Sequence, residues 1–531
     1  LRGAKQTQLL ATAVLFAAVV FAFVPTFLAI VVWVAIAWII GGFIAQANVR
    51  QAVAVGRVVV ALVVGALVLN APWVSQFANS QWMDHFVGDQ AASIQRVGLT
   101  QLARFDGGLL RFGFIALGLY IPVFVSVVVT RSNTFIWATR SLSLVVLTGM
   151  LIVAIDANVV NIAAPSFGQL SAIVACGLAL GAGALASFVF DDELTMAYRW
   201  WKPVVTCAVI ASFVGALPAV SMAVGGSWNQ SKTAIADLYT QMQANPPEGD
   251  YNVVYVGRSE VLPVSSLRVN GEVAFAVADD GELTMRDRWA KPNELNSNVE
   301  SALHAIIGRE TVRGGRLLAP LAVRYVVVPQ IDGGESTIEK PLPLPEGLLA
   351  ALSTQLDFRR VYLASDLVIY ENMAWVPSLS VLDENSSALS KQAGDEVLLS
   401  SALQSTMPIA RIDDITSVMT EVGESTVYLA VPYSDRLRLE VAGKDAQPRV
   451  AFGGTTAFDV GDGGQATLKY STPISQYVFV VIQSLLWLLV ILAVFDIGRI
   501  QRRISQARNR EVIVVGDQDS PALSFATGGD Q

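Results

Sequence analysis

Residues 9–47 read LLATAVLFAAVVFAFVPTFLAIVVWVAIAWIIGGFIAQA, 39 residues without a charge. A membrane-spanning helix needs about 20 mostly apolar residues. The stretch is too long for one straight span and long enough for two. Pro25 sits near its middle, where it removes a backbone donor and disfavours helix before it. Two short spans joined by a tight turn are expected, roughly 9–24 and 27–45. Working outward, the same criterion places further spans at about 58–74, 109–129, 141–157, 168–190, 204–224 and 476–496. Eight crossings are thus expected.

Composition agrees. The chain has 531 residues, of which 53% are hydrophobic and 15% charged. A soluble domain carries about 25% charged residues. The mean hydropathy is +0.51. Charge is unevenly divided: residues 226–475 hold 20 Lys+Arg against 32 Asp+Glu, net −12, and the rest holds 16 against 12, net +4. An acidic, polar block beside an apolar remainder argues against nucleic-acid binding. Cys176 and Cys207 both lie in apolar runs, so neither a disulfide framework nor a thiolate zinc site is expected. His85 and His304 are the two histidines, too few for a histidine-rich metal centre. No metal and no cofactor are expected in this chain.

Lys and Arg concentrate on the cytoplasmic side of short loops. With eight crossings, one side collects Arg2, Lys5, Arg50, Arg57, Arg131, Arg140, Arg199, Lys202, Arg499, Arg502, Arg503, Arg508 and Arg510. The other side collects Arg96 and Arg104, with Arg111 at a boundary. Merging the first two spans would put Arg2 and Lys5 on the wrong side. Both termini are therefore expected in the cytoplasm and residues 226–475 outside. Gly177 and Gly181, four apart in an Ala/Gly-rich span, are expected to form a helix contact, because small residues let helices approach closely in lipid. Arg499–Arg510 reads as a topology anchor, with anionic lipid headgroups as alternative partners.

The outer block changes character along its length. Tyr251–Val256, Val273–Val277, Arg324–Val328 and Leu367–Tyr370 read as strands. Asn298–Arg309 has helical spacing, and Pro345–Leu356 reads as a helix with Pro near its start. Alternating segments imply a small α/β unit. Residues 376–406 read as a Ser-rich connection with one helix. Beyond it, Val427–Val431, Arg436–Val441, Arg449–Phe452 and Ala466–Tyr470 are short strands separated by turns, the pattern of a β-sandwich. The expected fold class is a multi-pass α-helical membrane protein with an extracytoplasmic α/β domain plus β-sandwich. Its parts are a transmembrane bundle over 1–225, an α/β domain over 226–375, and a connection and sandwich over 376–475. A closing helix over 476–498 and a basic, then disordered, cytoplasmic tail over 499–531 complete it.

Motif chemistry is sparse. There is no phosphate-cradling P-loop, no GxSxG elbow and no HExxH. Asp517-Gln518-Asp519 has the form of a sugar-nucleotide metal motif but lies in the tail, and Asp191-Asp192-Glu193 reads as a solvated loop. The loop 75–108 combines Trp82, Asp84, Asp89, Arg96, Arg104 and Asp106 beside the membrane. A carboxylate there, Asp84 first and Asp89 or Asp106 as alternatives, could deprotonate an acceptor hydroxyl. Arg96 or Arg104 could hold a lipid phosphate, with Trp82 at headgroup depth. The plainer alternative is an interfacial loop.

The words Tyr255–Pro263 (YVGRSEVLP), Arg286–Ala290 (RDRWA), Gly315–Pro329 (GRLLAPLAVRYVVVP), Pro341–Leu348 (PLPLPEGL), Leu356–Phe358 and Tyr370–Pro377 (YENMAWVP) occur in this order. Leu437–Gly443 (LRLEVAG) and Phe452–Phe458 follow. Together they resemble the C-terminal membrane half of large actinobacterial proteins that begin with a family 2 glycosyltransferase domain. The resemblance covers about 190–498. It implies a cytoplasmic sugar-transferring domain ahead of the bundle, and a start at Leu1 suits a chain cut just after it. That domain's catalytic residues have no counterparts in this sequence, so none is carried over. The resemblance implies the membrane and extracytoplasmic portion of a cell-envelope polysaccharide glycosyltransferase, anchoring the transferase and holding or guiding glycolipid or glycan. Its partners would be membrane lipids, a lipid-linked sugar or envelope glycan, and a fused or associated family 2 domain. Two other readings stay open: a self-contained lipid-donor glycosyltransferase working through the 75–108 loop, and a non-enzymatic scaffold or glycan-binding membrane protein.

Overall fold

The computed structural model describes residues 2–45, 48–74, 103–104, 113–156, 165, 167–190, 201–225, 248–263, 266–279, 294–331, 341–363, 367–409 and 418–495. Among them, seven helices are long and apolar enough to cross a membrane. They are α1 (Arg2–Phe23), α2 (Phe27–Ile44), α3 (Val49–Leu69), α5 (Ser132–Asp156), α6 (Phe167–Phe190), α7 (Trp201–Gly225) and α13 (Ile474–Phe495). The expected break at Pro25 is present: a turn at Pro25 and Thr26 separates α1 from α2. The expected span over 109–129 differs. Its described part is a 3-10 helix, Gly113–Leu119, followed by α4 (Ile121–Val129) with Pro122 in its first turn. The span expected at 141–157 also begins earlier, so Arg140 lies inside α5 rather than in a loop.

The chain divides into two compact units. One comprises Leu1–Ala35, Asn48–Phe86 and Ile474–Gln531, the other Ile36–Ala47 and Val87–Pro473. In the first, α13 returns to the N-terminal helices. Ala17, Ala18, Phe21, Ala66 and Leu69 are buried there, with Leu486, Trp487 and Val490 packed against them. Polar side chains tie this apolar contact together. Gln8 Nε2 donates to the Val494 carbonyl at 2.7 Å, and Trp487 Nε1 and Gln483 Nε2 both donate to Leu69 O at 2.8 and 3.0 Å. Such bonds favour one helix pairing over others where apolar packing alone discriminates poorly.

In the second unit α5 and α6 pair closely. Ser141 Oγ donates to Gly177 O at 2.7 Å. A Cβ on Gly177 would come within 2.8 Å of Val145, and one on Gly181 within 2.6 Å of both Ser141 and Val123. Gly177 and Gly181 thus make the close helix contact expected of them. Residues 113–129 run alongside α7, where Gly118 faces the Ala211 carbonyl and Gly215 faces Leu119.

The rest of that unit is built on sheets. A six-stranded sheet has the order β2-β3-β1-β4-β6-β5. Its strands are β1 (Asn252–Gly257), β2 (Leu267–Asn270), β3 (Val273–Asp279), β4 (Val323–Pro329), β5 (Phe358–Leu363) and β6 (Leu367–Asn372). The β1–β4 pair is parallel and the others antiparallel. Val254, Val256, Val326, Val328 and Val368 pack one face against α8 (Glu294–Ile307), α9 (Gly314–Leu318) and α10 (Leu348–Ser353) through Val299, Leu303, Ile306, Leu318, Leu348 and Leu352. Each such side chain contributes about 1.5–3 kcal/mol when fully buried.

The residues expected as a connection are part of this architecture. Leu379–Leu382 is β7, followed by α11 (Glu384–Leu389), α12 (Asp395–Ser400) and β8 (Ser405–Pro408). β7 lies inside a five-stranded sheet, order β13-β14-β10-β7-β8, with β10 (Ser425–Pro432), β13 (Pro448–Ala451) and β14 (Thr455–Val460). A four-stranded sheet, order β12-β11-β15-β9, comprises β9 (Val418–Val422), β11 (Leu437–Val441), β12 (Lys444–Ala446) and β15 (Gly464–Tyr470). Val427, Leu429 and Phe458 from one sheet and Leu437, Leu439 and Leu468 from the other share one core. Ala442 and Gly443 have φ of +48° and +79°, the backbone a two-residue hairpin between β11 and β12 requires. Tyr428, Ala430 and Ala457 of the five-stranded sheet, with Phe452 in the turn between β13 and β14, belong to the core that also holds α8 and α9. The buried Tyr428 hydroxyl donates to Pro320 O, and Ser378 N donates to Asp250 O at 2.8 Å. The six-stranded sheet with its helices and the two later sheets therefore share packed contacts in one body.

Candidate functional site

The second face of the six-stranded sheet carries Tyr251, Val253, Tyr255, Tyr325, Val327, Leu367 and Ile369. At one end of it stands an arginine that the strand pattern would turn away. Asn252 pairs with Val323 and the next residue, Val253, pairs with Tyr325. Arg324 is thus the extra residue of a β-bulge. Val323 and Val326 face the helices while Tyr325 and Val327 face the opposite side, so the alternation shifts at Arg324. Bulges re-aim side chains in this way.

The re-aimed guanidinium sits among three aromatic rings. Its carbon lies 4.8 Å from the Trp375 ring centroid, 5.3 Å from Tyr325 and 5.5 Å from Tyr251. The Tyr251 ring meets Tyr325 edge-on at 5.3 Å. Two carboxylates complete the cluster: Nη1 of Arg324 is 3.5 Å from Glu248, and Nη2 is 3.5 Å from Glu371. Glu371 pairs across the sheet with Tyr325 on one side and Arg359 on the other, so all three share a face. Its second oxygen accepts from Arg359. The side chains of Arg324 and Glu371 are 14% and 11% exposed, while that of Arg359 is 62% exposed. Burial pushes the Tyr325 hydroxyl pKa up; the Arg324 charge opposes this, and Glu371 and Glu248 add to it.

One feature of the cluster is incomplete. Arg324 Nε is buried and has no hydrogen-bond partner among the described residues. A buried donor left without an acceptor costs about 1–3 kcal/mol. The cluster thus offers a spare donor, a half-buried indole and an exposed guanidinium on Arg359. Aromatic faces stack on the apolar faces of ligands, and fixed guanidinium and carboxylate groups bond hydroxyls or anions with defined geometry. With both oxygens of Glu371 in ion pairs, the arrangement suits holding a polar ligand better than moving a proton.

The backbone behind the cluster is equally constrained. Asn372, next to Glu371, donates from Nδ2 to Gly315 O at 2.9 Å and Val323 O at 3.0 Å. A Cβ on Gly315 would lie 2.4 Å from Asn372 Oδ1 and 2.5 Å from Asp357 Cβ. Arg313 Nη1 holds Asp357 at 3.0 Å, and Gln355 accepts from Gly314 N at 2.8 Å. The words Gly315–Pro329 and Tyr370–Pro377 therefore meet at the cluster and behind it.

Of the residues singled out in the sequence, Trp82, Asp84, Asp89, Arg96 and Asp106 lie outside the described residues, as do Asp191–Glu193 and Asp517–Asp519. Arg104 is described, its guanidinium carbon 3.5 Å from the Phe114 ring centroid. Among the described residues, no group of three or more His, Cys, Asp or Glu is placed to hold a metal ion. The residues of the Arg324 cluster match no motif in the sequence. Its signal lay in the words containing Arg324, Glu371 and Trp375, and in a Val-rich strand that hides its own alternation.

A scan against protein-family models and searches of curated proteins and solved structures found no match to this chain.

Proposed function

We propose that this chain is the membrane and extracytoplasmic portion of a cell-envelope polysaccharide glycosyltransferase. Its helices anchor a fused or associated family 2 transferase domain, and its sheet-built unit holds or guides a glycolipid or growing glycan. The observation that carries this reading is the Arg324 cluster, where a bulge turns a cation into an aromatic surround and leaves one buried donor without a partner among the described residues. Sugar rings present apolar C–H faces to indoles and hydroxyls to guanidinium and carboxylate groups, so the cluster's chemistry suits a saccharide. No nucleic acid and no resident cofactor enter the reading.

Topology follows from the charge asymmetry and is supported by residues 113–129. Seven residues of 3-10 helix rise about 14 Å and nine of α-helix about 14 Å. Together they approach the roughly 30 Å of a bilayer core, and they run alongside the long helix α7. Counting that segment gives eight crossings, both termini in the cytoplasm, and residues 226–475 outside.

The test is saccharide binding by the full chain in lipid nanodiscs, using fragments of the cell's own envelope polysaccharides. Trp375→Ala is expected to weaken binding at least ten-fold, because it removes the half-buried stacking surface. Equal affinity in the variant and the wild type would refute the assignment of this site.

A further inference from the structure

Arg140 is a cation within a span. It lies six residues inside the apolar window that starts at Thr134 of α5, about 9 Å along the helix axis. Trp38 lies six residues before Ile44, the end of α2, and so at a similar depth from its own end. The two helices meet closely there: a Cβ on Gly41 would be 2.6 Å from Arg140 Cα and 2.8 Å from Thr139 O. The Arg140 guanidinium carbon is 4.7 Å from the Trp38 ring centroid and 5.7 Å from that of Trp137, and the two indoles meet edge-on at 5.5 Å.

Among the described residues the Arg140 cluster includes no anion. Among the described residues, the seven long apolar helices and residues 113–129 contain one carboxylate, Asp156. It is sixteen residues further along α5, about 24 Å away along the helix axis. Arg140 Nε is buried and has no hydrogen-bond partner among the described residues. Intramembrane arginines are costly and pair with a counter-ion or reach toward the headgroups. Tryptophans favour headgroup depth. At about 9 Å from the end of the span, the phosphate of a lipid in the adjacent leaflet is an anion toward which a long arginine side chain reaches.

We propose that Arg140, flanked by Trp38 and Trp137, binds the phosphate of a membrane lipid. The guanidinium supplies a planar, charged donor pair for the phosphate oxygens, and the indoles line the path of the acyl or prenyl chain. The ligand chemistry is a lipid-borne phosphate; a bulk anionic phospholipid and a polyprenyl phosphate both present it. This site stands independently of the saccharide site at Arg324.

The experiment uses the full chain, delipidated and reconstituted in separate nanodiscs doped with phosphatidylglycerol, undecaprenyl phosphate or diacylglycerol. Native mass spectrometry then counts the lipid retained per chain. The wild type is expected to retain at least one of the two phosphate lipids and not the phosphate-free diacylglycerol; which one is retained identifies the source. Arg140→Gln is expected to lower retention about ten-fold. Arg140→Lys should fall between the two, since it keeps the charge but loses the planar fork. Arg57→Gln, an exposed position on α3, should leave retention unchanged. Wild-type retention by a folded Arg140→Gln overturns the proposal; if only Arg140→Lys folds, wild-type retention by that variant does so. Equal retention of diacylglycerol also overturns it.

Discussion

Asp459 shows how a single side chain can be held by opposing influences. Burial pushes its carboxyl up, but hydrogen bonds from Arg449 and Thr426 and the charges of Arg449 and Lys391 outweigh this and hold it below the ordinary carboxylate range. Arg449 grips it with Nε at 2.9 Å and Nη2 at 3.0 Å, and also donates to Ser390 at 2.9 Å, tying the end of α11 to the sheet. A depressed folded value means that the stabilisation is present above the unfolded value near 4 and is lost as pH falls through the folded value. Asp459→Asn is therefore expected to lower the melting temperature at pH 7, with the difference from wild type closing below about pH 4. Because the carboxylate is about half exposed, the effect should be modest and shrink with added salt. Gly315 is limited by space rather than charge. Gly315→Ala should destabilise by roughly 1–3 kcal/mol, the usual cost of overpacking, read from chemical denaturation of residues 248–473. A neutral result would mean that Asn372 and Asp357 can move aside.

Elements were legible where period and punctuation were strong. The Pro25 turn and the strand expected at Arg324–Val328, found as Val323–Pro329, could be read from residue types alone. β7 was not: Leu379–Leu382 is four residues long inside a Ser-rich stretch, and its place between β10 and β8 is set by partners far away in sequence. The Arg324 bulge was hidden for a related reason. VRYVVV is apolar on both sheet faces, so no alternation remained to reveal the shifted register. Residues 109–129 read as an ordinary span because composition does not distinguish the 3-10 turns of Gly113–Leu119 from α-turns. The α/β part and the sandwich part also looked separable, whereas the buried Tyr428 ties them through one core. Residues 248–473 expressed alone should accordingly unfold in one calorimetric transition. Tyr428→Phe, which leaves the Pro320 carbonyl without this donor, should lower that transition without splitting it. Two resolved transitions in the wild type would contradict a shared core.

At the scale of the whole molecule, the proposed topology puts residues 226–475 outside the membrane. Reporter fusions after Ser75, Ser132, Gln230 and Arg510 check the topology: outside signals are expected at Ser75 and Gln230, inside signals at Ser132 and Arg510. An inside signal at Gln230 would place the Arg324 cluster on the wrong side for an envelope glycan. The central claim is that the outer unit holds a saccharide at Arg324, Glu371 and Trp375. The most direct test is photo-crosslinking of the full chain in nanodiscs with diazirine-bearing fragments of the cell's own envelope polysaccharides, followed by peptide mapping. The account predicts adducts on the peptides around Tyr251 and Met373–Pro377, lost on competition with unlabelled fragment and in Trp375→Ala. Adducts confined to residues 75–108, or labelling unchanged in Trp375→Ala, would contradict it.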